Sequence, residues 1–105
     1  MSQETPEVLI VEVDTTAPDE LAVIVRCLAT TRLGAHFLST TADAHPIDLR
    51  VTEIRRYPTV PVEEVTPPHA ARLILTAPAA HTVPLNRGDI LRGANPPVPQ
   101  RRLGT

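Results

Sequence analysis

The sequence predicts an all-β fold, a small barrel or sandwich of six to seven short strands. Three observations carry this reading. Val, Leu and Ile make up over a quarter of the 105 residues and fall in short runs rich in β-branched side chains. Turn signals recur about every ten residues. No segment reads convincingly as a helix. A chain of this length forms one domain around one core.

Residues 1–6 are polar, end in Pro6, and read as a flexible N-terminal tail. Residues 7–14, EVLIVEVD, read as the first strand, with Leu9, Val11 and Val13 on one face and Val8, Ile10 and Glu12 on the other. Thr15 to Glu20 holds Pro18-Asp19 and reads as a turn. Leu21 to Thr31 has the length and Leu/Ala content of a helix, with Asp19 as a possible N-cap. The consecutive Val23, Ile24 and Val25, followed by Thr30-Thr31, favour a strand instead. Arg32-Leu33-Gly34 is a turn in which Gly34 is free to take positive φ.

His36 to Thr41 reads as a short strand and Ala42 to Pro46 as a loop. Residues 47–57, IDLRVTEIRRY, alternate at first, with Ile47, Leu49 and Val51 on one face. Ile54 breaks the period of two, which predicts a bulge near Thr52-Glu53. Across Pro58 to Pro68, Val60, Val62 and Val65 suit a short edge strand, because Pro61 excludes a central one. Ala71 to Thr76 is a strand. Ala77 to Leu85 is a loop with Val83 and Leu85 turned inward. Asn86 to Asp89 is a turn into Ile90-Leu91-Arg92. The domain therefore spans 7–93, and residues 94–105 form a Pro/Arg-rich C-terminal tail expected to be extended and partly disordered.

Bulk properties exclude several classes. The net charge is −2, so nothing at that level predicts binding to nucleic acid or to an anionic membrane. No apolar run approaches the roughly 20 residues of a membrane helix. Cys27 is alone, and the N-terminus has neither a basic nor an apolar leader region, which suggests a reducing, cytoplasmic setting. All ten basic residues are arginine, a bias expected of a high-GC bacterium.

Three segments carry a resemblance to a known module. Val25 to Phe37 (VRCLATTRLGAHF) reads as a strand followed by a glycine turn. Val51 to Tyr57 (VTEIRRY) reads as a strand ending in the apolar-x-x-aromatic pair Ile54 and Tyr57. Ala71 to Leu91 closes with Arg72-Leu73-Ile74-Leu75 and then Asn86-Arg87-Gly88-Asp89-Ile90-Leu91. In this order they resemble the β-barrel domain II of translational GTPases, of the elongation factor Tu and initiation factor 2 type, over about residues 8 to 93. The resemblance implies a closed or partly open barrel, turn roles for Gly34, Gly88 and Asp89, and partners that are protein or structured RNA, ribosomal RNA included. Two departures stand out: Leu21 to Val25 lacks the family's glycines, and Ala35 follows Gly34 where the family has Asp. A sequence without lysine cannot supply a phosphate loop, so nucleotide hydrolysis is excluded.

The remaining candidates for chemistry are weak. His36, His45, His69 and His81 have no metal-ligand spacing, and no metal or cofactor is expected. Cys27 shares its strand phase with Val23, Val25 and Ala29, so a buried, inert thiol is expected. Ser2 and Ser39 lie in no nucleophile elbow. Glu63-Glu64 reads as two solvated loop charges. Arg87-Gly88-Asp89 spells an integrin-type tripeptide, and the turn alone explains it.

Arg50, Arg55 and Arg56, with Tyr57 beside them, form the best local basic cluster and the candidate RNA- or protein-binding site, with Arg26 and Arg32 as further neighbours across the sheet. The expected function is a non-enzymatic binding module. A regulatory or structural partner of a larger protein encoded nearby is the alternative, and a small metal-dependent enzyme is the remotest one.

Overall fold

A computed structural model describes residues 5–40, 47–56, 60–80 and 83–96. Most of the expected N-terminal tail, the loop expected at 42–46, His45, Tyr57, His81 and the tail beyond Pro96 lie outside them.

The strands are β1 (Glu7–Ala17), β2 (Glu20–Ala29), β3 (Thr31–Arg32), β4 (His36–Thr40), β5 (Leu49–Arg56), β6 (Val60–Val62), β7 (Glu64–Val65), β8 (Ala70–Thr76) and β9 (Ile90–Ala94). The main sheet runs β4-β9-β1-β2-β8-β5-β6, and β5 also pairs with β4. That last pairing closes six antiparallel strands into a barrel and leaves β6 as an extra strand. β5 serves two neighbours along one edge: β4 at Leu49 and Arg50, and β6 from Ile54 to Arg56. Between them the β3–β4 turn fills in, with Gly34 N–H donating to Val51 O and Val51 N–H donating to Ala35 O. Gly34 sits at φ +91°, where a side chain would be strained. β3 and β7 form a separate two-stranded sheet.

Residues 21–31 are strand through Ala29, as the β-branched run requires. The ladder between β5 and β8 slips between Val51 and Glu53, so the bulge lies where the sequence period breaks. It returns Ile54 to the core beside Leu49 and Val51. Pro61 lies in β6, which among the described residues pairs only with β5, so a missing N–H costs no inner ladder bond.

β1 departs from the expected single phase. Its register with β2 slips between Ile10 and Glu12 and again between Val13 and Thr15. Val11 and Asp14 are the extra residues. The first bulge reverses the facing, so Val13 packs against the core that holds Val8 and Ile10, while Glu12 turns outward. Strand pairing also continues through Thr15 to Ala17, and only Pro18-Asp19 makes the reversal. Such bulges add the twist and bend that a closing barrel strand needs.

The core fills the barrel with inward residues from all six strands, and Phe37 is its largest fully buried side chain. Cys27 is buried, its sulfur 3.0 Å from Ala29 O and 3.3 Å from Val65 O. Val83 and Leu85 pack against the core from their loop.

The ends are better tied than the sequence suggested. Pro6 is buried, and its carbonyl accepts from Gly93 N–H. β9 runs one residue beyond the expected boundary. A Cβ at Gly93 would run into the His36 carbonyl, so β4 and β9 can approach this closely only with glycine there. Asn95 then turns inward. Its Oδ1 accepts from Arg32 N–H at 2.9 Å and its Nδ2 donates to Thr30 O at 3.0 Å, clipping the chain to the β2–β3 corner.

Candidate functional site

Strand alternation on β5 sends Arg50, Thr52 and Arg55 outward while Leu49, Val51 and Ile54 point in. Cross-strand register then decides which arginines meet. Arg55 lies opposite Arg72 on β8, and Arg72 lies opposite Ile24 on β2. One step along, Arg56 lies opposite Ala71 and Arg26 opposite Ala70. Arg26, Arg55 and Arg72 therefore share the outer face of three adjacent strands, while Arg56, opposite buried Ala71, belongs to the other phase and is exposed at the end of β5.

Two carboxylates temper the cluster. Glu53 holds the Arg55 guanidinium, and Asp14, from the second β1 bulge, accepts from Arg72 Nε at 3.2 Å. Arg26 donates to Pro68 O at 3.2 Å. Three guanidiniums share the face with these two carboxylates and with outward Glu12, which lies opposite Ile24 on β2. These side chains remain more than a third exposed in both ion pairs, so each pair contributes little stability and stays open to exchange. A guanidinium presents a planar fork that matches phosphate or carboxylate oxygens in pairs.

The sequence-derived cluster is thus partly redistributed. Arg55 and Arg56, adjacent on β5, fall in opposite phases of the strand. Arg50, five residues earlier on β5, stands about 16 Å away at strand spacing. It sits opposite His36, whose Nδ1 is 2.7 Å from Asp48 Oδ1. Arg32 belongs elsewhere: it pairs with Glu64 at 3.3 Å in the β3–β7 sheet. Tyr57 lies outside the described residues. Arg72 is the member that local sequence missed. Alternation in ARLILT marks it as outward, but only the β5–β8 register brings it to Arg55.

The turn residues lie as their chemistry requires. Gly88 has φ +94°, and Asp89 Oδ2 accepts from Asn86 N–H at 2.7 Å. Among the described residues, no three His, Cys, Asp or Glu side chains form a group that could hold a metal ion. Nor, among them, is any helix long and apolar enough to cross a membrane.

No protein-family model matches the chain, and no curated protein matches it.

Proposed function

We propose that the protein is a non-enzymatic, cytoplasmic binding module of the translation-factor domain II kind, and that it takes structured RNA on the outer face of β2, β8 and β5. One observation carries the reading: Arg55 and Arg72 stand directly opposite each other, with Arg26 on the same face. Like charges in directly paired positions destabilise a sheet. The barrel gains no core packing from them, since both side chains point outward. An anionic partner gives the arrangement a use. The closed antiparallel barrel and the glycine turns at Gly34 and Gly88 support the likeness to domain II.

Binding of the full chain to ribosomal RNA should weaken steeply between about 50 and 200 mM salt. Replacing both Arg55 and Arg72 with alanine should flatten the log–log salt slope by about two, one per lost phosphate contact. Binding indifferent to both salt and these substitutions would sink the reading.

A second reading draws on a different feature. Val11 and Leu28, at irregularities in the β1–β2 ladder, are exposed aliphatic side chains on the barrel's outside. They suit the alternative of a regulatory or structural partner docked on a larger protein encoded nearby. Affinity capture from the native cell should then return one dominant protein, dependent on Val11 and Leu28 rather than on the arginines.

A further inference from the structure

We infer that a groove between the β3–β4 turn and the β5–β6 pair docks a peptide segment of another protein, one that carries an aliphatic side chain beside an arginine or lysine. The inference is independent of what the arginine face binds.

The groove has a structural origin. β5 hands its edge from the β3–β4 turn to β6, and the handover leaves a gap of about 260 Å³. Ile54 forms its floor and Leu33, Pro61 and Val62 its apolar walls. Both walls are fastened. Leu33 N–H donates to Glu63 O at 2.8 Å, and Gly34 N–H, one residue on, donates to Val51 O of β5. β6 is held by its ladder to β5. The groove is thus preformed, and the ordering cost of docking falls on the partner.

The walls nevertheless stay open to water. Leu33 is 40% exposed although its backbone is tied down, and Val60, in the same strand phase as Val62, is 54% exposed. Apolar surface held in place but left uncovered suits an aliphatic side chain from a partner. The rim sets the partner's charge. Glu53 already holds Arg55, and neighbouring Glu64 pairs with Arg32 at 3.3 Å. Glu63 lines the groove and, among the described residues, makes no ion pair. One uncompensated carboxylate beside an apolar gap is complementary to a cation next to an aliphatic anchor. The same carboxylate repels phosphate, so this groove and the arginine face select partners of opposite charge.

The probe is the peptide acetyl-Gly-Leu-Arg-Gly-amide, titrated into the full, isotopically labelled chain while the backbone amide signals are followed by NMR. The signals of Leu33, Ile54 and Val62 should shift and saturate with a Kd of about 1 mM, as suits a single anchor. A peptide with alanine in place of leucine should bind about tenfold more weakly. One with glutamate in place of arginine should lose a similar factor. In the protein, Glu63→Gln should weaken binding about threefold at low salt, and it changes only an exposed side chain, so the barrel stays folded. Arg55→Ala, which releases Glu53, should tighten it about twofold. Arg72→Ala should leave it unchanged, which separates this site from the RNA reading. Unmoved signals at these three amides up to about 10 mM peptide overturn the inference, as do equal affinities for the arginine and glutamate peptides. So do shifts of the same amides with protein concentration alone, between about 0.05 and 1 mM, which would make the occupant a second copy.

Discussion

Arg55 on β5 and Arg72 on β8 face each other directly across the ladder, each steadied by its own carboxylate, Glu53 for the first and Asp14 for the second. Both pairs are partly exposed, so the face holds its charge near water rather than burying it. This sets up a clean separation between stability and binding.

Arg72→Ala should change unfolding free energy by no more than about 0.5 kcal/mol in urea, because an exposed ion pair contributes little and one like-charge contact is relieved. The same substitution should weaken RNA binding severalfold at low salt. A large loss of stability with unchanged binding would assign Arg72 to the fold instead of to a partner.

The bulge at Val11 makes a sharper claim. In a regular strand Val11 and Val13 share a face and should respond alike. In this barrel Val13 packs on the core and Val11 is exposed. Val13→Asp should therefore cost about 2 kcal/mol or more by placing a charge against apolar neighbours. Val11→Asp should stay within about 0.5 kcal/mol. Thermal or urea denaturation of the two variants decides it, and equal losses would refute the bulge.

These cases show which features the sequence could reveal. The β5 bulge was legible because Ile54 visibly breaks a clean alternation. The β1 bulges were not, because VLIVEV is apolar in both phases and either facing satisfies a local pattern. The strand expected over 21–31, which the structure places at Glu20–Ala29, was legible from β-branched density. The meeting of Arg72 with Asp14 and Arg55 was not: the pairing partners are distant in sequence, and register between non-consecutive strands leaves no local trace. Asn95 was hidden for another reason. Asn-Pro-Pro reads as the start of a tail, and only the folded corner shows two backbone groups waiting for an amide.

Two glycines should separate strain from collision. Gly88 has positive φ but open space around it, so Gly88→Ala should cost only about 1 kcal/mol. At Gly93 a Cβ meets the His36 backbone, which cannot yield without parting β4 from β9. Gly93→Ala should cost at least about 3 kcal/mol, in the range of severe core disruptions. Similar losses at the two sites, measured by denaturation, would mean that β4 and β9 are less tightly joined than described.

Asn95 carries the most specific stability prediction. Its amide both accepts from Arg32 N–H and donates to Thr30 O, so it completes the backbone pairing of the β2–β3 corner. Asn95→Ala strands both groups at a partly buried position and should cost about 2–3 kcal/mol. Asn95→Asp keeps the acceptor for Arg32 N–H but loses the donor and sets a carboxylate against the Thr30 carbonyl. At neutral pH it should be no more stable than the alanine variant. At low pH, where the added carboxyl is protonated and can donate again, it should recover part of the difference relative to Asn95→Ala. Urea titrations of both variants at about pH 7 and about pH 3 test this, bracketing the ordinary Asp range. If the Asp variant gained nothing on Ala in acid, the Thr30 contact would not be a working hydrogen bond.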